Sequence, residues 1–219
     1  MVDTEITLPA IDMGKARDPD LRREVARQLV HALETVGFVF IENVVGFEPH
    51  TLLDKARWFF SLPDAQKQEV ARKLWNPLSK NHYRGYFPLQ EGEVSYKEGY
   101  EIGREVPENT QHMPDDLQVH PFFQEPNMWP GSAEGGEQFR TQLLTHYNAA
   151  LQCGAEVLRL VSLGSGLKDD WFQSLFFPNS LSTLRLLHYP PRPGVVSPTA
   201  RDGETVLCCS DHSDSGLYL

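Results

Sequence analysis

Cysteine is scarce in this sequence, with three in 219 residues. Cys153 falls in a helical pattern, and Cys208 and Cys209 are adjacent in a strand-like run, where neighbouring side chains leave opposite faces. This usage supports no disulfide framework and lacks the ligand spacing of a zinc site. Long apolar runs are also missing. Val36 to Ile41 falls far short of the roughly 20 residues that a bilayer span requires, and acidic residues follow Met1 where a secretory leader would be basic and then hydrophobic. Basic charge is in deficit: twenty Lys and Arg against thirty Asp and Glu leave a net charge of -10. A phosphate backbone or an anionic membrane surface is therefore excluded as the main partner. No internal repeat or low-complexity segment interrupts the chain. What remains is a soluble, cytoplasmic protein with 40% apolar and 11% aromatic residues, enough to bury a core.

The order of elements follows from apolar spacing. Asp18-Pro19 reads as a helix cap followed by proline at the first helical position, with Leu21, Val25, Leu29, Leu33 and Val36 recurring at helical intervals. Gly37 ends that helix, and Phe38 to Ile41 reads as a strand buried on both faces. Pro49 opens a second helix through Phe60, and Pro63-Asp64 a third through Leu74. From Asn76 to Asn127 the many prolines and glycines predict loops and short strands. Pro130 to Gly136 reads as a linker into a long helix carrying Phe139, Leu143, Tyr147, Leu151, Val157, Leu158 and Val161. Three strand-like stretches follow: Leu181 to Pro191, Glu204 to Asp214 and Gly216 to Leu219.

The last of these regions contains His212-Ser213-Asp214. Residues i and i+2 of a strand leave the same face about 7 Å apart, so an imidazole and a carboxylate could converge on one ion. That pair suits Fe(II), and a second histidine would complete a set that leaves coordination positions open. The same "SDHSDSG" is equally composed of ordinary turn residues.

Its surroundings favour the metal. "LRLLHYPP" at Leu184 to Pro191 precedes His212, and upstream stand "LPAID" near the start, "VGFVFIEN" at Val36 to Asn43, "RGYFP" at Arg84 to Pro88 and "KEGYEIGRE" at Lys97 to Glu105. In this order, over nearly the whole chain, they resemble the isopenicillin N synthase-like branch of the Fe(II)- and 2-oxoglutarate-dependent oxygenases. The resemblance implies an α+β fold: a helical N-terminal region over residues 1–130 packed on a double-stranded β-helix, or jelly roll. Residues 131–219 would supply a long helix and the first part of that jelly roll. It further implies that His212 and Asp214 are metal ligands and that Tyr189 hydrogen-bonds the far carboxylate of the cosubstrate 2-oxoglutarate. The asparagine that precedes this tyrosine by two places in plant relatives is Leu187 here. The implied activity is oxidation, by molecular oxygen, of a small-molecule substrate, with no side chain acting as nucleophile. The resemblance places the second histidine and a cosubstrate-binding arginine further downstream, and only five residues follow Asp214. The expectation is thus a truncated jelly roll and an inactive chain; the alternative is a non-catalytic, partner-binding or regulatory fragment.

Other residues carry two readings. Arg185 shares a strand face with Leu187 and Tyr189 and would pair with a carboxylate or simply brace the fold. His188 should face away from Tyr189, and neither it nor His31, His50, His82, His112, His120 or His146 is expected to replace the missing ligand. Tyr83, Arg84, Tyr86, Lys97 and Tyr100 would ring the site mouth or pack as ordinary structure. Trp58, Phe59 and Phe60 read as core.

Overall fold

The structure is a computed structural model and describes residues 7–90, 95–105, 125–173 and 182–191. The chain divides into two compact units, one drawn from Met1–Lys55 and Glu137–Thr183, the other from Ala56–Gly136 and Leu184–Leu219.

In the first unit, β1 (Ala10–Asp12) runs parallel to β2 (Phe40–Glu42), with Ile11 opposite Ile41. Between them lie the single turn α1 (Met13–Ala16) and the helix α2 (Arg22–Thr35). Asp12 caps α1 through its side chain, accepting from the N–H of Gly14 at 2.7 Å, and its pKa is lowered by a bond from Asn43 and by that backbone bond. Val25, Ala26 and Leu29 of α2 are buried with Ile11, Met13, Ala16 and Leu160, the last from α5 (Gly136–Gly164). Of the anticipated spacing, Val25 and Leu29 enter this apolar stripe together with Ala26 and Ala32, whereas Leu21 and Leu33 are 43% and 38% exposed. Two expectations change. Asp18 caps no helix: its carboxylate accepts from the N–H of Asp20 and folds Asp18–Asp20 into a turn, so α2 starts at Arg22. The strand after Gly37 is not buried on both faces, since Phe38 and Phe40 are 72% and 59% exposed.

The long helix α5 approaches α2 closely at Gly164, where a Cβ would stand 2.4 Å from the Ala26 carbonyl oxygen. His146, buried on α5, is held by main chain, with Nδ1 2.7 Å from the Gln142 carbonyl and Nε2 3.3 Å from the Glu48 N–H.

In the second unit the helices are α3 (Pro49–Phe60), whose last residues reach into it, and α4 (Asp64–Glu69). The third helix is shorter than expected, and Leu74 beyond it is 79% exposed. A three-stranded sheet orders β3 (Gly85–Phe87), β4 (Glu98–Gly103) and β5 (Thr183–His188) with β4 in the middle. β3 and β4 are antiparallel, Tyr86 facing Tyr100. Gly85 has φ +118°, and a Cβ there would meet the Val70 carbonyl at 2.5 Å, so only glycine permits the Val70–Arg72 segment to bond both sides of Tyr86. Pro130–Gly136, which leads into α5, is packed: Pro130 and Ala133 are buried, and Ser132 donates to Glu69. No helix among the described residues is long and apolar enough to cross a membrane.

Replacing Gly164 with alanine is expected to lower stability by about 1–3 kcal/mol through overpacking against the α2 backbone. A drop in the urea midpoint checks this, with Gly131→Ala as a control, because an added carbon there would come no nearer than 4.0 Å to another residue.

Candidate functional site

Every residue of β4 is buried, yet the strand reads Glu98-Gly99-Tyr100-Glu101-Ile102-Gly103. Alternation sends Glu98, Tyr100 and Ile102 to one face and Glu101 to the other. Two carboxylates taken from water thus need partners on opposite sides of one sheet, and this requirement organises the unit.

On the first face Glu98 is fully engaged. Its Oε2 accepts from Lys67 Nζ at 3.1 Å and from the Tyr86 hydroxyl at 2.6 Å, and its Oε1 lies 2.8 Å from His188 Nδ1. Burial works against the charge of Glu98, and the bonds from Tyr86, His188 and Lys67 overcome it, so its pKa falls below the ordinary value. Burial, then Glu98, pushes the Tyr86 hydroxyl far up. Phe59 packs against Tyr86 and Tyr100 with ring centroids 5.9 and 4.4 Å apart, and Phe60 lies 5.2 Å from His188. This is the core face, in agreement with the reading of Phe59 and Phe60. It also takes Tyr86 and Tyr100, 3% and 0% exposed, out of any site mouth.

Arg84 is structural too. It is buried, donating from Nη1 to the carbonyls of Arg104 and Glu125 at 2.8 and 2.5 Å, and it occupies the space where Gly103 lacks a Cβ. The Glu125 carboxylate accepts from the N–H groups of His82, Tyr83 and Arg84 in turn, at 2.7, 2.9 and 2.9 Å, which fixes the loop that presents Tyr83.

The second face is built differently. Glu101, fully buried, receives Arg185 Nε at 2.6 Å and Arg72 Nη2 at 3.0 Å on the same oxygen, Oε2. Arg72 is stacked over the rings of Phe87 and Tyr83, at 4.6 and 5.4 Å, and Arg185 Nη2 lies 3.4 Å from the Tyr83 hydroxyl. Burial lowers the pKa of Arg72, only partly opposed by Glu101. Burial also disfavours the charge on Arg185, and there the bond to Glu101 prevails and raises the pKa. Burial first, then Glu101, raises Tyr83. Arg185 therefore faces Glu101 while His188 faces Glu98, the alternation anticipated for β5. Leu187 and Tyr189 are 40% and 43% exposed. His212 and Asp214 lie outside the described residues, as do Cys208, Cys209, His112 and His120. Among the described residues no group of three His, Cys, Asp or Glu could hold a metal ion.

Neither Glu98 nor Glu101, nor their partners Lys67 and Arg72, was singled out from the sequence. The available signal was two glutamates inside a short strand otherwise made of Gly, Tyr and Ile.

Residues 8–132 match the family described as non-haem dioxygenase in morphine synthesis, N-terminal. The chain belongs to this oxygenase family. It is 30% identical to the 2-oxoglutarate-Fe(II) type oxidoreductase ppzD of Metarhizium majus, over 91% of this chain and 58% of that protein. It is also 30% identical to the 2-oxoglutarate-dependent dioxygenase citB of Monascus ruber, over 95% of this chain and 62% of that one. The chain thus spans somewhat more than half the length of these curated relatives. Among solved structures it resembles the C-terminally truncated Neurospora crassa T7H in apo form, with TM-score 0.65, 26% identity and coverage of 89% and 67% of the two chains. The full-length T7H in complex with alpha-KG matches with TM-score 0.64 and 26% identity, covering 87% and 56%. Family membership agrees with the resemblance drawn from the motifs.

Because Glu98 has a lowered pKa in the folded chain, its contribution to stability is complete above its ordinary value of 4.5 and vanishes as pH falls through the lower folded value. Glu98→Gln is expected to cost about 3 kcal/mol at neutral pH by removing the buried counter-charge of Lys67, which keeps only the exposed Asp64 carboxylate at 3.2 Å. The gap from wild type should close as pH falls through that range, read by urea unfolding from neutral to acid pH. Glu101→Gln, which strips the shared counter-charge from two guanidiniums, should cost about 3–5 kcal/mol in the same assay at neutral pH.

Proposed function

We propose that this chain serves Fe(II)- and 2-oxoglutarate-dependent oxidation of a small molecule by molecular oxygen. His212 and Asp214 are two of the metal ligands in this reading, and Tyr189 is the hydrogen-bond donor to the far carboxylate of 2-oxoglutarate. Residues 1–130 form the N-terminal region, and residues 131–219 contribute the long helix and the first part of a jelly roll. The observation that carries the reading is the family match over residues 8–132, followed in order by β5, Tyr189-Pro190-Pro191 and the His-x-Asp. The named relatives, which are 2-oxoglutarate-Fe(II) oxidoreductases and dioxygenases, support it, and they favour it over a purely partner-binding role.

The donor set fits the metal in chemical type: an imidazole nitrogen and a carboxylate oxygen suit Fe(II). Bound iron with 2-oxoglutarate would supply the oxygen-activating chemistry. The chain's own contribution is position. β5 is held through Arg185 on Glu101 and through His188 on Glu98, on opposite faces, so the strand that leads to Tyr189 is pinned twice. Tyr189 follows directly on His188, and its exposure leaves it open to a ligand. The net charge of -10 and the composition support a soluble, cytoplasmic setting without nucleic-acid or membrane partners.

Anaerobic equilibrium dialysis of the chain with Fe(II) tests the ligand assignment: His212→Ala and Asp214→Ala should each weaken binding by about tenfold or more. Tyr189→Phe should weaken 2-oxoglutarate binding and leave Fe(II) affinity unchanged. Equal Fe(II) binding by wild type and both ligand variants would overturn the assignment.

A further inference from the structure

We propose that the side of the sheet bearing Arg72, Arg185 and Tyr83 is a binding site for the carboxylate of a small organic acid, the prime substrate of the reaction inferred above, on which this assignment of substrate class rests.

The argument starts from the contrast between the two faces of β4. Glu98 uses both oxygens on three donors and closes its network. Glu101 receives both of its arginines on Oε2, so that its buried Oε1 and the buried Nε of Arg72 have no hydrogen-bond partner. Arginine–carboxylate pairs frequently place the guanidinium fork on both carboxylate oxygens, and this one does not. Among the described residues two guanidiniums share this one carboxylate, leaving there one positive charge in excess, on a chain whose net charge is -10. The excess is also accessible: the Arg185 side chain is 41% exposed, spends Nε on Glu101 and directs Nη2 to Tyr83 only at 3.4 Å. No bond from its Nη1 exists among the described residues. Arg72 is held against Phe87, so the second cation is fixed in place.

A planar guanidinium edge of this kind matches the two oxygens of a carboxylate, which a lysine ammonium would not. Tyr83 beside it supplies an aromatic wall, and Leu187, on the same strand face as Arg185, supplies apolar surface for the remainder of a small acid. Carboxylate chemistry has two sources in this reaction, the prime substrate and 2-oxoglutarate. Tyr189 is assigned to the latter, which leaves the arginine pair to the former.

The test is a titration of the full 219-residue chain with benzoate, and separately with 2-oxoglutarate, followed by NMR of the arginine side-chain Nε–H signals in wild type, Arg185→Gln, Arg185→Lys and Tyr189→Phe. Saturable benzoate binding that shifts the Arg72 and Arg185 signals is expected. It should weaken at least about tenfold in Arg185→Gln and several-fold in Arg185→Lys, which keeps the charge but not the fork, and it should persist in Tyr189→Phe. Arg185→Lys also carries the test should Arg185→Gln fail to fold. Benzoate binding that neither Arg185 variant weakens, or the absence of saturable binding, overturns the proposal. Loss of 2-oxoglutarate binding in folded Arg185→Gln also overturns it, by assigning the pair to the cosubstrate. Benzoate binding that depends on Arg185 in a chain that fails to bind Fe(II) supports this site while removing the oxygenase reading, so the two fail separately.

Discussion

The constraint on which the sheet-containing unit depends is the burial of two carboxylates on one strand. A buried charge is tolerated only with opposite charge and hydrogen bonds around it, and β4 places Glu98 and Glu101 on opposite faces, so one demand cannot answer both. Lys67 from α4, Tyr86 from β3 and His188 from β5 converge on the first; Arg72 and Arg185 converge on the second. The partners come from α4, the segment that follows it, β3 and β5, and the carboxylates act as internal anchors of the sheet. Apolar packing of Phe59 on Tyr86 and Tyr100 fills one side, where the network is closed. On the other side Glu101 is buried, Arg72 is largely buried and Arg185 stays partly exposed. One strand thereby separates a structural face from a face with chemistry to offer.

Much of this fold could be read from the chain itself, where local spacing decides the outcome. The helices at Pro49–Phe60 and Gly136–Gly164 and the strand at Thr183–His188 occupy the stretches their apolar patterns indicate. The failures have local physical causes. Asp18 serves the next turn instead of a helix end, because its side chain reaches the N–H two residues on. Continuous apolar character at Phe38–Ile41 suggested burial on both sides, but among the described residues only Val39 and Ile41 pack on the core, and Phe38 and Phe40 stay exposed.

The site was legible only in part, for a different reason. The motif "KEGYEIGRE" pointed to the right segment, yet the roles of its glutamates depend on residues far away in sequence: Lys67 is 31 positions from Glu98, and Arg185 is 84 from Glu101. No window of sequence reveals such pairings. The aromatic and basic residues Arg84, Tyr86 and Tyr100 looked equally suited to a site mouth and to a core, and burial assigns all three to structure. Tyr83, another of those candidates, stands with the arginines. The order of motifs, by contrast, was visible throughout, and it led to the family.

Gly99 shows how little latitude the plank beneath the arginines has. A single added carbon there would fall 2.3 Å from the ring of Phe87 and 3.0 Å from the carbonyl oxygen of Leu186, so both neighbouring strands rest directly on its bare backbone. Variation in what this face accepts must therefore come from the side chains standing above it, such as Tyr83, Leu187 and Tyr189, and not from the strand that carries them. For anyone seeking to redirect the protein toward another molecule, the floor is fixed and the furniture is movable.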